Sequence, residues 1–249
     1  AYSRDLDYEA FRSIADEVGA IFMVDAAHFI GLVAGRAAAN PVPYADVVTA
    51  TTHKALRGPR GGLVMAKKEF AKRINKGVFP DMQGGGIFSQ VAAKAVCFHE
   101  ASQPSFESYA AQIVSNASAM ADQFASDGMR VVSGGTDNHL MLLDLRSIDE
   151  DLTGKEAATL LDERVGITLN RNGIPYDPRT PFITSGLRIG TPAMTSCGMK
   201  EDQAREIASI ITAALRGRAD DTSVAEAASA AKAIATAFPP YPEEFPGHV

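Results

Sequence analysis

The sequence predicts an α/β fold, and three observations support that prediction. Short apolar runs recur along the chain and end at polar residues, as buried strands do. Longer stretches with apolar residues every three or four positions, which are typical of amphipathic helices, lie between these runs. The remaining connections are rich in glycine, alanine, asparagine and proline, which are common loop residues.

The first part of the chain contains three short apolar runs. We predict that they are buried strands of a parallel sheet, at residues 21–24, 47–52 and 62–66. Helical spacing predicts helices in the same part of the chain at residues 8–18, 67–77 and 89–101. Asp25 follows the first run directly, so a carboxylate is expected at the carboxyl end of that strand.

The second part begins with a long helical pattern over residues 104–128 that a glycine closes. This helix is a natural boundary, so the prediction is a large domain over 1–103 and a smaller α+β domain over 104–249. Strands are predicted at 129–132, 140–145, 167–169 and 187–189, and helices at 153–165, 199–216 and 222–237. Thr153 with Glu156 three residues later predicts a capping box. The proline-rich end, residues 238–249, is expected to run over the surface.

Composition excludes several classes of protein. The chain has 249 residues, of which 46% are hydrophobic and 22% charged, as in ordinary soluble globular proteins. A net charge of −6 gives no electrostatic reason to expect a nucleic acid or an anionic membrane as partner. No apolar run approaches the roughly 18 residues that a transmembrane helix needs. Cys97 and Cys197 are expected to be free structural thiols, which favours a reducing compartment, the cytoplasm.

Chemically active residue types cluster after the first two predicted strands. In open α/β sheets, ligands bind outside the carboxyl ends of the strands. Asp25 would there find a cationic partner such as a pyridinium nitrogen, because a buried carboxylate needs one. A desolvated lysine at the same edge, Lys54, can act as a nucleophilic amine and form a Schiff base. Enzymes that use pyridoxal 5'-phosphate usually have a lysine that forms the Schiff base and an aspartate that pairs with the ring nitrogen. The cluster consists of Asp25, His28, Thr51, His53, Lys54 and Arg60.

Four segments resemble one enzyme family, in the right order and spacing. They read "VDAAHFIGLVA", "TATTHKALRGPRGG", "VSGGTDNHL" and "TSGLRIGTPA". Together they make residues 1 to about 215 similar to the serine hydroxymethyltransferases. The resemblance implies a fold-type-I, aspartate-aminotransferase-like enzyme, a homodimer with pyridoxal phosphate as cofactor. It implies reversible conversion of serine and tetrahydrofolate to glycine and methylenetetrahydrofolate, a step of one-carbon metabolism.

The resemblance also implies a role for each matching residue. Lys54 matches the lysine that forms the Schiff base, Asp25 the partner of the pyridine nitrogen, and His28 a histidine near the phenolic oxygen of the cofactor. Thr51 and His53 match residues that orient the substrate, and Arg60 supports their loop. Arg188 matches the arginine that binds the substrate α-carboxylate. Gly84 and Gly85 match a backbone loop that reaches the cofactor phosphate of a neighbouring subunit. The loop on the folate side is matched by Asn172, Thr180, Pro181 and Phe182.

Family members carry an amino-terminal half before the residues that match this chain. That half supplies an acid/base glutamate and much of the phosphate site. We therefore expect the chain to be the carboxyl-terminal part of such an enzyme, with little turnover by itself and with apolar surface exposed.

Other interpretations remain open. A different pyridoxal phosphate enzyme, an aldolase for β-hydroxy amino acids, would act without folate, and the chain by itself could be a non-catalytic folded fragment. Asp25 could only cap a turn, the two histidines could be satisfied core residues, Arg188 could form a structural ion pair, and residues 84–86 could be a flexible turn. For Asp137, Asn138 and His139 we expect hydrogen-bonded structure and no metal site, because adjacent residues on a turn point in different directions.

Overall fold

The computed structural model describes residues 2–241 of the 249-residue chain. These residues divide into two compact units. One is Asp5–Ala111, and the other joins residues 2–4 to residues 112–241. The architecture in both is mixed α/β, as the sequence predicts. The assignment of functional domains to residues 1–103 and 104–249 stays a prediction.

The Asp5–Ala111 unit contains a three-stranded sheet in the order β1 (Met23–Asp25), β2 (Val47–Thr51), β3 (Gly62–Ala66). β1 and β2 are parallel, and Asp25 lies opposite Thr49. The prediction of a buried parallel strand is wrong for β3, which is antiparallel to β2 and alternates exposed with half-buried residues. The short connection between β2 and β3 explains the difference, because a parallel partner would need a crossover of a dozen or more residues.

Helices cover the sheet of this unit. They are α1 (Tyr8–Glu17), α2 (Ile30–Ala34), α3 (Lys68–Lys76), α4 (Phe88–Ala101) and the start of α5 (Pro104–Ser126), with a further helical turn over Gly77–Met82. All except α2 and that turn match the predicted helices to within one or two residues. The core contains buried side chains from β1, β2, α4 and α5, among them Val24, Val48, Cys97 and Phe106.

A buried carboxylate, Asp46, fixes the sheet to α1. Its oxygens accept hydrogen bonds from Arg12 at 2.9 Å, from Lys67 at 2.6 Å and from the Phe22 amide at 2.8 Å. The bonds from Lys67, Phe22 and Arg12 hold the pKa of Asp46 well below its usual range, although burial opposes them. This network fixes the positions of the first two strands, which carry the candidate site.

The other unit contains a four-stranded antiparallel sheet. Its order is β4 (Arg130–Val131), β5 (Leu140–Asp144), β7 (Gly186–Gly190), β6 (Asn170–Asn172). The prediction of a strand at residues 167–169 is wrong, since β6 begins at Asn170. Ile167 and Leu169 pack instead against the core, after a helix end where Gly166 has a φ of 83° and the Ile167 amide bonds to Leu161.

Four helices follow in this unit after α5. They are α6 (Gly154–Leu160), α7 (Pro192–Ser196), α8 (Glu201–Arg216) and α9 (Asp221–Ala237). The capping box predicted at Thr153 is confirmed: its hydroxyl accepts from the Glu156 amide, and the Glu156 carboxylate accepts from the Thr153 amide. A wider helical turn over Leu161–Val165 extends α6 to the predicted end, whereas α7 was not predicted.

Two sequence-based expectations concern the surface. Among residues 2–241, the helices are too short or too polar to serve as a membrane span. Most of the proline-rich end lies outside the described residues, so its expected course along the surface stays a prediction.

Candidate active site

Asp25 and Lys54 follow the carboxyl ends of two adjacent parallel strands. Asp25 is the last residue of β1, and Lys54 comes three residues after the end of β2. The Thr49 hydroxyl donates to Asp25 Oδ1 at 3.2 Å, and the Ala27 amide donates to the same oxygen at 3.1 Å. Among the described residues, Oδ2 of Asp25 accepts no hydrogen bond. One carboxylate oxygen therefore orients the side chain while the other is free to accept from a ligand.

The expectation that Asp25 is a buried carboxylate is wrong, and the desolvation expected for Lys54 is only partial. The Asp25 side chain is exposed, and Lys54 is half-buried. The amine of Lys54 makes no hydrogen bond or ion pair to residues 2–241. Both groups required for the predicted cofactor are thus accessible in this chain.

Thr52 closes the loop that carries Lys54, residues 52–61, which we call the lysine loop. Its side chain is fully buried at 0% exposure, and its hydroxyl bonds to the carbonyls of Pro59 and Gly61 at 2.5 and 3.1 Å. Its amide donates to Gly61 at 3.0 Å, and its carbonyl accepts from Gly58 at 2.6 Å. These bonds join the two ends of the loop, so its backbone is fixed without help from the lysine side chain.

Two further contacts brace the loop against helices. The Arg57 guanidinium lies 3.8 Å from the centre of the Tyr109 ring on α5. A β-carbon at Gly58 would approach the Cys97 sulfur of α4 to 2.5 Å, so the loop packs closely on that helix. Burial, aided by the charge of Glu100, raises the pKa of the Cys97 thiol. Cys97 and Cys197 are both free, as predicted, and Cys97 has a packing role.

Thr51 and His53 lie on either side of Thr52, at the strand end. The Thr51 hydroxyl donates to the Ala27 carbonyl at 3.0 Å, which ties β2 to the loop that follows Asp25. The Gly61 amide donates to His53 Nδ1 at 3.4 Å. His28 lies half-buried in that same loop after β1. The structure therefore connects Asp25 to Thr51 through the Ala27 backbone, whereas His53 is connected to Gly61.

Arg60, Gly84 and Gly85 are also in this unit, and all three are exposed. Among the described residues Arg60 has neither a hydrogen bond nor an ion pair. Apart from the neighbouring residues in the chain, no described heavy atom lies within 4 Å of where a β-carbon would stand at Gly84 or Gly85, so their backbone is accessible. A cavity of about 620 Å³ in the same unit is lined mainly by apolar side chains such as Val33, and none of these candidate residues lines it.

The remaining candidates lie in the other unit. Arg188 is the middle residue of β7, opposite Asn170, and its Nη2 donates to the Asn170 side-chain oxygen at 3.2 Å. Asn172 ends β6, and its amide group donates to the Gly173 carbonyl at 2.8 Å. The sequence Thr180, Pro181 and Phe182 lies exposed on the loop between β6 and β7.

The turn with Asp137, Asn138 and His139 is hydrogen-bonded structure. Asp137 pairs with Arg4 at 2.7 Å. The Asn138 side chain accepts from the Leu140 amide and donates to the Tyr2 carbonyl. Residues 2–241 contain no group of three His, Cys, Asp or Glu side chains that could hold a metal ion.

Sequence reasoning missed several residues that build the site. Thr49 orients Asp25, and Thr52 and Gly58 close the lysine loop. Alternation along β2 contained a usable signal for Thr49, because it shares a strand face with Thr51. Nothing local in the sequence indicates that Thr52 is wholly buried.

Lys54 is half-buried and its amine has no partner among residues 2–241, and Asp25 has one carboxylate oxygen free of hydrogen bonds to those residues. The two residues follow the carboxyl ends of adjacent parallel strands, which fits the class of enzymes that bind pyridoxal phosphate at strand ends. A model of the serine hydroxymethyltransferase family matches residues 1–211. The chain belongs to the serine hydroxymethyltransferase family.

Proposed function

We propose that the protein is a serine hydroxymethyltransferase of fold type I, which interconverts serine and glycine with tetrahydrofolate as one-carbon carrier. The observation that supports the proposal is that Asp25 and Lys54 follow the carboxyl ends of the adjacent parallel strands β1 and β2, within a chain of this family. The resemblance of the four sequence segments supports the finer assignment.

The residues at this edge fit pyridoxal phosphate. The free Oδ2 of Asp25 suits the ring N–H, because a carboxylate already oriented by two donors makes a strong charged hydrogen bond. Lys54, whose amine has no competing partner among the described residues, would hold the cofactor aldehyde. The cofactor, when bound, supplies a ring that withdraws electrons from the bond to be broken.

The other residues would bind and orient. Thr51 and His53, fixed by bonds to Ala27 and Gly61, would position the substrate, with His28 near the cofactor oxygen. Arg188 would bind the substrate α-carboxylate through a planar fork, of which one nitrogen is oriented by Asn170.

The roles proposed for the remaining candidates rest on accessible backbone and loops. The amides of Gly84 and Gly85 suit an anion, and we assign them to the cofactor phosphate of a second copy in a homodimer. Asn172 and the exposed Thr180, Pro181 and Phe182 would face the folate. Arg60 would support the lysine loop, and the cytoplasm is the proposed location.

Trapping by borohydride tests the assignment of Lys54. After pyridoxal phosphate is added and reduced onto the protein, peptide mass mapping should find the label at Lys54. Lys54→Met should lose it, whereas Lys72→Met, at an exposed lysine of α3 in the same unit, should keep it. Because the bonds of Thr52 hold the loop without Lys54, the Lys54→Met variant should unfold like the unchanged chain. Label on another lysine in the unchanged protein would refute the assignment.

A second measurement distinguishes the proposed hydroxymethyltransferase from the folate-independent aldolase. A hydroxymethyltransferase cleaves serine only when tetrahydrofolate accepts the one-carbon unit, whereas the aldolase would cleave without it. The assay should compare the 249-residue chain with a form extended at its amino terminus, because we expect the chain alone to show little turnover. Rapid folate-independent serine cleavage by either form would favour the aldolase.

A further inference from the structure

The loop over residues 173–185 joins β6 to β7 and is built around one carboxylate, Asp177. Its Oδ1 accepts from the Arg179 amide at 2.9 Å and from the Ser185 hydroxyl at 2.7 Å. Its Oδ2 accepts from the Ile174 amide at 3.2 Å and from the Ser185 amide at 2.9 Å. Four donors, from the start, middle and end of the loop, therefore converge on one side chain.

Arg179 extends this network to the segment before α6. Its Nη1 donates to the Ser185 hydroxyl at 3.0 Å and to the Leu152 carbonyl at 3.2 Å, and its Nη2 donates to the Glu150 carbonyl. The first turn of α6 also donates to the loop, through the Gly154 amide to the Thr184 carbonyl at 2.9 Å. The loop is thus fixed at its base to two other parts of the unit.

The outer part of the loop is exposed and apolar. Phe182 is 78% exposed and Tyr176 is fully exposed, so little of either side chain is buried against the described residues. Tyr176 and Thr184 also have positive φ values, 56° and 58°, which are strained for side chains with a β-carbon. Because the exposed residues contribute little to holding this shape, the Asp177 network at the base must do so.

We propose that Asp177, together with Arg179 and Ser185, is the positioning group that presents Thr180, Pro181 and Phe182 to the reduced folate. The inference rests on the proposed function, since it takes the folate to be the ligand of this loop. A loop already held in its bound shape avoids the ordering cost that a mobile loop would incur on binding. Asp177 therefore affects the affinity for tetrahydrofolate and leaves the chemistry on the amino acid unchanged.

The test is Asp177→Asn, which keeps the shape of the side chain but replaces one accepting oxygen with an NH₂ group. The two loop donors that bonded to the replaced oxygen then face an NH₂ group, which cannot accept their hydrogen bonds. We expect the KM for tetrahydrofolate to rise about tenfold to hundredfold, because small displacements of binding groups have effects of that size. The KM for serine and the turnover number at saturating tetrahydrofolate should stay unchanged, and amide exchange over residues 174–185 should accelerate. The assays use whichever form turns over, the 249-residue chain or its amino-terminally extended form.

Asp220→Asn is the matched control. Asp220 also accepts three hydrogen bonds in the same unit, at the start of α9, so its loss perturbs stability in a comparable way. It should leave the KM for tetrahydrofolate unchanged. An unchanged KM in Asp177→Asn, or an equal rise in Asp220→Asn, would overturn this inference but leave the proposed function standing. If the unchanged protein does not use tetrahydrofolate, the proposed function falls and the inference with it.

Discussion

Replacing Gly31 with alanine should displace the lysine loop. A β-carbon at Gly31, in α2, would lie 2.3 Å from the Ala55 carbonyl carbon, 2.5 Å from the Leu56 nitrogen and 2.6 Å from the Ala55 oxygen. All three atoms belong to backbone, so no side chain can rotate out of the way. Ala55 directly follows Lys54, which places the collision one residue from the proposed reactive amine.

The size of the effect follows from these distances. Non-bonded carbon atoms rest about 3.5 to 4.0 Å apart, so α2 and the loop must separate by roughly 1 Å or more. Overpacking of this kind costs about 1–3 kcal/mol of unfolding free energy. In a chain of this size that cost lowers the melting temperature by roughly 2–12 °C. A displacement of about 1 Å at Lys54 should also slow its reaction with pyridoxal phosphate as much as a hundredfold.

The assay combines thermal unfolding by circular dichroism with the rate at which the visible absorption band of the bound cofactor appears. Gly77→Ala is the matched control, because, apart from the neighbouring residues in the chain, no described atom lies within 4 Å of its β-carbon position and its φ of −61° suits alanine. The control should unfold at the original temperature or slightly above it. If Gly31→Ala behaves like Gly77→Ala in both measurements, α2 does not hold the lysine loop and the argument is wrong.

Two further predictions concern stability. Asp46→Asn should cost about 1–3 kcal/mol at pH 7, because it removes the carboxylate that pairs with Lys67 and one of the two carboxylates that pair with Arg12. The folded pKa of Asp46 is lowered, so its contribution is complete above the unfolded pKa of about 3.9 and is lost as pH falls below it. In urea unfolding, the difference between the variant and the unchanged chain should therefore shrink at pH 3, and a constant difference would contradict this account. Thr153→Ala should cost about 1 kcal/mol by removing the capping box with Glu156, whereas Thr222→Ala, in the first turn of α9, should cost less. Equal losses in urea unfolding would show that the capping box has no special effect.

The sequence predicted those elements whose signals are local. The strand predicted at 47–52 was found because a mostly apolar run ends there in a cluster of threonines, and the observed β2 ends one residue earlier. Helix α6 was found because two residues, Thr153 and Glu156, suffice to define a capping box. The placement of Asp25 and Lys54 at one edge followed from a general rule about parallel strands, and the pairing of β1 with β2 confirms its premise.

The features that were missed depend on contacts distant in sequence. The short helix α2 contains Gly31, which lowers local helix propensity and is used because the Ala55 backbone comes so close. Ile167 and Leu169 have the composition of a strand, but they pack on the core beside a helix end. The four donors around Asp177 come together only when the loop between β6 and β7 is closed.

The lysine loop separates stability from reactivity. Thr52 satisfies its own amide, carbonyl and hydroxyl within the loop, and Gly58 and Gly61 supply the matching groups. Unpaired polar groups inside a protein lower its stability. If the loop needed the lysine to pair its polar groups, the amine would be held in those hydrogen bonds and could not react. Because the fully buried Thr52 makes the bonds that close the loop, Lys54 is half-buried yet has no partner among the described residues. That division of roles is why the reactivity of the amine should be removable at Lys54 while the loop itself is sensitive to Gly31.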